Sequence, residues 1–68
     1  MSEVSTWTVI GMTCGHCEAS VREEISEIPG VETVEVSHES GQAVVTSTTP
    51  LDRAAVAAAV AEAGYALA

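Results

Sequence analysis

Gly11-Met12-Thr13-Cys14-Gly15-His16-Cys17 lies between two segments with different hydrophobic periods. Before it, Thr6-Trp7-Thr8-Val9 alternates polar and apolar residues, the pattern of a strand with one buried face. Trp7 and Val9 are expected to point to the core, and Ile10 falls on the other face as the chain leaves the strand. After it, Val21, Ile25 and Ile28 recur at spacings of four and three, which predicts an amphipathic helix over residues 17–28. Glu18, Glu23, Glu24 and Glu27 fall off that stripe, as a solvated face and a candidate docking surface beside the loop. Pro29-Gly30 stops the helix and turns the chain.

Working outward, Val31, Val34 and Val36 predict a second strand, although the step from Val31 to Val34 breaks strict alternation. His38-Glu39-Ser40-Gly41 reads as a hairpin turn, with Gly41 able to take positive φ. Ala43-Val44-Val45-Thr46 is a third strand, with Ala43 and Val45 inward and Val44 outward. Thr49-Pro50-Leu51-Asp52 has the features of a helix start: a capping hydroxyl, a proline at the first helical position and an acid in the first turn. Val56, Val60 and Ala63 give that second helix its buried stripe, and Gly64 ends it. Tyr65-Ala66-Leu67 is a short final strand.

The resulting order, β-α-β-β-α-β, is the ferredoxin-like α+β arrangement: a four-stranded antiparallel sheet with two helices on one face. Sixty-eight residues are expected to form a single domain spanning 1–68, with a small core. The dithiol then falls in the first strand-to-helix connection, at the rim of the sheet, where function commonly sits.

Charge narrows the function. The net charge is −8, and Arg22 and Arg53 are the only cationic side chains apart from two histidines. Nucleic acids and anionic membranes are bound largely through positive charge, so neither is an expected partner. No apolar run approaches the ~20 residues of a membrane span, and Met1-Ser2-Glu3-Val4-Ser5 lacks the basic and apolar regions of a secretion signal, so a cytoplasmic location is expected. In a reducing compartment the two thiols stay reduced and available.

Cys14 and Cys17, at C-x-x-C spacing, close too small a loop to staple a fold, so their spacing points to reactivity. Thiolates are soft ligands that select copper(I), zinc, cadmium or mercury over magnesium or calcium. A free thiol has a pKa of about 8.5, and the positive end of a helix favours its ionised form. Cys17 is expected in the first helical turn and Cys14 in the loop, with the dithiol at the surface and Gly15 letting the backbone turn tightly between them. Two thiolates suffice for copper(I), whereas zinc prefers four ligands and the chain holds only two cysteines and two histidines. Met12 is expected to support the loop from below, as a flexible gap-filler. His16 reads as a solvated loop residue, with ligation in a dimer as the alternative, and His38 as a surface residue.

The chain resembles the heavy-metal-associated domain family, and within it the bacterial copper chaperones of the CopZ type. The residues carrying the resemblance are Gly11-Met12-Thr13-Cys14-Gly15-His16-Cys17, then Val21 and Ile25, Pro29-Gly30-Val31, and Gly64-Tyr65, so that it extends over residues 5–68. It implies that Cys14 and Cys17 bind Cu(I), that the ion passes to the metal-binding domain of a copper-transporting P-type ATPase, and that copper-dependent homodimers form. It also implies no enzymatic activity. Family members that carry zinc, cadmium or lead often have an acid just before the first cysteine, and Thr13 in that place favours Cu(I). Tyr65 matches a tyrosine that lies near the metal loop in chaperones of this type. Glu18 departs from the family, where an apolar residue often follows the second cysteine, and Trp7 departs in the first strand. Three rivals stand beside this reading: a metal-binding domain excised from such an ATPase, a mercury- or zinc-binding relative, and a dithiol redox protein.

Overall fold

The computed structural model describes residues 2–13 and 15–68. Its elements follow the order β1 (Glu3–Ile10), α1 (Gly15–Ser26), β2 (Val31–Ser37), β3 (Gln42–Ser47), α2 (Arg53–Glu62) and β4 (Ala66–Leu67). The strands form one antiparallel sheet in the order β2-β3-β1-β4, as the ferredoxin-like pattern requires. The two helices pack against each other, and their apolar stripes share one core with the inward residues of the strands.

Strand alternation decides which side chains enter that core. In β1, Val9 is buried and Trp7 half-buried, while Val4 and Ile10 stand 67% and 56% exposed on the opposite face. In β3, Ala43, Val45 and Ser47 all face inward. Ser47 is the one polar side chain buried there among the described residues, and its hydroxyl donates to the Thr49 carbonyl at 2.6 Å. The irregular step in β2 has a structural cause. Val31 pairs with Ser47 and Thr33 with Thr46, so Glu32 bulges out of the ladder and Val34 re-enters on the buried side. Gly41 closes the β2–β3 hairpin at φ +72° and donates to the Ser37 carbonyl at 2.9 Å.

Both helices differ from the sequence expectation at their starts. α1 begins at Gly15, two residues early, and ends at Ser26, because the residue before a proline disfavours helical backbone and the chain must unwind ahead of Pro29. Ile28, past the helix end, still packs against the core. α2 begins at Arg53, and its cap is Asp52, whose carboxylate accepts from the Ala54 N–H at 3.2 Å. Thr49 and Pro50 therefore precede the helix. Leu51 is the reason: it turns into the core just ahead of the cap, with buried Val56 at the spacing of a hydrophobic staple. At the other end the Gly64 N–H donates to the Ala61 carbonyl and the Tyr65 N–H to the Val60 carbonyl, with Gly64 at φ +94°. This pair of bonds satisfies the last carbonyls and turns the chain directly into Tyr65 and β4.

Candidate metal centre

The end of β1 and the first turn of α1 set the site. Gly11 has φ +100°, and a Cβ placed on it would lie 3.2 Å from Cδ1 of the Tyr65 ring. Two elements far apart in sequence thus meet at the root of the loop, and the tyrosine stacks where only a glycine leaves room. Replacing Gly11 with alanine combines backbone strain with this overlap. We expect it to destabilise the fold by more than about 1 kcal/mol, measured as a lowered urea midpoint. An unchanged midpoint would mean the ring moves aside without cost.

Beyond Gly11, Met12 turns inward and is 8% exposed, within the hydrophobic core. Thr13 stays exposed, and its hydroxyl lies 3.9 Å from the sulfur of Cys17. Cys14, expected as the loop ligand, lies outside the described residues. His16 is exposed on the first turn of α1. Gly15, expected to let the backbone turn tightly between the cysteines, is placed in the helix itself. It is the first residue of α1, lacks positive φ, and a side chain there would meet nothing within 4 Å.

Cys17 corrects the picture of a dithiol lying wholly at the surface, since it is buried to 8% exposure. The reason is its place on the helix. Cys17, Val21 and Ile25 follow one another at intervals of four, so the cysteine heads the stripe that packs on the sheet. The signal was present in the spacing, one turn before Val21. Its side chain lies where the core meets the first turn of α1.

Glu18 and His38 form a contact that the sequence reading did not anticipate. One carboxylate oxygen, Oε2, accepts from the His38 backbone N–H at 2.7 Å and meets its ring Nδ1 at 2.6 Å. Those two bonds, backbone first, hold the Glu18 carboxyl below the usual carboxylate range. His38 is accordingly no simple surface residue: its side chain is 34% exposed and that of Glu18 29%. Glu24, on the same helix, is shifted the opposite way by desolvation and by neighbouring Glu27, Glu62 and Glu23.

Among the described residues no group of three or more His, Cys, Asp or Glu side chains could hold a metal ion. A surface groove between α1 and β2, of about 720 Å³, includes none of Met12, Thr13, His16 or Cys17. No helix among the described residues is long and apolar enough to cross a membrane.

A profile of the heavy-metal-associated domain matches residues 6–66. The chain belongs to the heavy-metal-associated domain family. It is 36% identical to a mercuric reductase of Shigella flexneri over 62 residues, 91% of this chain but 11% of the reductase. It is 47% identical to the mercuric transport protein periplasmic component of Pseudomonas aeruginosa over 45 residues, 66% of this chain and 50% of that protein. It is 46% identical to the copper chaperone CopZ of Staphylococcus aureus (strain bovine RF122 / ET3-1) over 37 residues, 54% of each. The aligned regions thus span half or less of the length of these mercury proteins, and the reductase match concerns only a small part of that enzyme. Among solved structures, a CopZ metallochaperone superposes with a TM-score of 0.88 at 28% identity, covering 97% of this chain and 100% of that one. Oxidized MerP from Ralstonia metallidurans CH34 superposes with a TM-score of 0.86 at 36% identity, covering 100% and 96%. This heavy-metal-associated domain therefore shares its fold with both a copper and a mercury branch of relatives.

Proposed function

We propose that this heavy-metal-associated domain is a copper(I) metallochaperone. Cys14 and Cys17 bind Cu(I), and the ion passes by thiolate exchange to the metal-binding domain of a copper-transporting P-type ATPase. The observation that carries the reading is the poverty of the donor set. The whole chain has two cysteines and two histidines, His16 is exposed, and one ring nitrogen of His38 is engaged by Glu18. A two-thiolate site suits Cu(I) and leaves Zn(II) short of its four ligands. The likeness to CopZ proteins supports the same metal.

In transfer, an incoming partner thiolate attacks the bound ion to give a three-coordinate bridge, and one of the original sulfurs then leaves. No step strips the ion bare, so tight binding and quick release coexist. The acidic surface supplies attraction to a basic face on the partner. The chemistry needs reduced thiols, which a reducing cytoplasm would supply, and in this reading the protein is a carrier.

Mercury carriage is the second reading, favoured by the 47% identity to a mercuric transport protein. An anaerobic titration of the reduced protein with Cu(I) against a chromophoric chelator, with Zn(II) in parallel, tests the copper proposal. One Cu(I) per chain with much weaker Zn(II) is the expected result. Transfer of that Cu(I) to an isolated copper-ATPase metal-binding domain completes it. Weak Cu(I) binding removes the copper reading in favour of another soft metal or of dithiol redox chemistry, and tight binding without transfer removes the delivery step.

A further inference from the structure

We propose that Glu18 and His38 form a positioning clamp that holds the first turn of α1, and with it Cys17, in its buried place. This rests on the reading of Cys17 as a metal ligand. Helix ends fray because their terminal groups lack intrahelical partners. Here the residue directly after the cysteine is anchored to a hairpin 20 positions away in sequence. The anchor has two points, the backbone N–H and the ring nitrogen of His38, both on Oε2 of Glu18. One of these is a main-chain donor in the β2–β3 turn, whose geometry is fixed by the sheet.

The clamp also answers the oddity of an acid beside a soft-metal thiolate. A loose Glu18 carboxylate would add a mobile negative charge next to Cys17. Drawn to the hairpin by two N–H groups, the charge is held in place and compensated by those donors. A residue of this kind does not touch the ion. It sets how often the first turn opens and exposes the sulfur.

The test is site-resolved alkylation of Cys17 in the metal-free, reduced, full-length chain, followed by peptide mass spectrometry, alongside the thermal midpoint. H38L removes the ring donor and leaves the backbone N–H in place. H38N restores a donor near the Nδ1 position. The expected result is Cys17 modified about fivefold faster in H38L, the size of one lost hydrogen bond, and close to wild type in H38N, with the H38L thermal midpoint lowered by only the few degrees that one such bond is worth. E18A removes both points of the anchor and is expected to exceed H38L, and H38L/E18A is expected to match E18A. Equal Cys17 rates in wild type, H38L and E18A overturn the clamp, as does an equal acceleration in V45A, a core variant on β3, compared at equal distance from its thermal midpoint. Dissociation of Cu(I) to a chelator is then compared in the same variants. Faster alkylation without tight Cu(I) binding in wild type would refute the copper reading while leaving the clamp on Cys17 standing.

Discussion

Cys17→Ser is expected to abolish tight Cu(I) binding while the protein stays folded. Losing a group that merely supports a ligand costs about 10–100-fold in metal affinity, and losing one of only two thiolates should cost more. Serine keeps the size of the side chain but replaces a soft sulfur with a hard oxygen that copper(I) does not favour. Its hydroxyl can pair with Thr13, which already lies against the sulfur. The plain alternative is that Cys17, at 8% exposure, is a small apolar residue of the core and nothing more. Chelator competition separates the two. A Cys17→Ser protein that still takes up one tightly held Cu(I) would show the thiol to be packing alone, and would end the proposal of a two-cysteine site. Cys14→Ser is expected to match Cys17→Ser in this assay.

Ile25→Ala should be the most damaging substitution to the fold. Ile25 is the largest of the side chains with no exposed surface, and it stands on the α1 stripe opposite the sheet. Truncating a buried isoleucine costs about 2–5 kcal/mol, the range reflecting how far the surroundings close the cavity. A domain of 68 residues has a total stability of roughly 3–10 kcal/mol. The change therefore consumes a large share of it, and Ile25→Ala should show a steeply lowered urea midpoint or be partly unfolded in buffer. Ile10→Ala is the matched control, with the same chemistry at a position 56% exposed and an expected change within about 0.5 kcal/mol. Similar midpoints for the two variants would contradict the core described above. Because Ile25 lies two turns beyond Cys17 on one stripe, Ile25→Ala should also weaken metal binding, but only as far as the fold is lost.

What the sequence made legible was whatever local periodicity encodes. Trp7 and Val9, Ala43 and Val45, and Val21 and Ile25 fall inward as their spacings require, and the order of elements follows from them. The bulge at Glu32 was visible only as a broken alternation between Val31 and Val34. α2 starts later than its local sequence suggests, because Thr49-Pro50 also satisfies the rules for a cap. The competition is settled by Leu51, whose burial pushes the cap on to Asp52. Ser47 continues the inward alternation of Ala43 and Val45, but its polarity hid that place, which depends on a hydroxyl bond to Thr49 across a bend. At the site, the depth of Cys17 could have been taken from its interval to Val21. The Glu18–His38 contact could not, because nothing local in either residue's neighbourhood announces a partner 20 positions away.

The bulge in β2 bears on how this chain can change in length. Val31 and Val34 both reach the core side although three positions separate them, because Glu32 is left outside the ladder. Deleting Glu32 would return the strand to plain two-residue alternation with Val31 and Val34 still inward, whereas a single deletion between Val34 and Val36 would send one of them to solvent. The junction after α1 is thus a splice point in the architecture, where evolution can add or remove a residue without turning the sheet inside out.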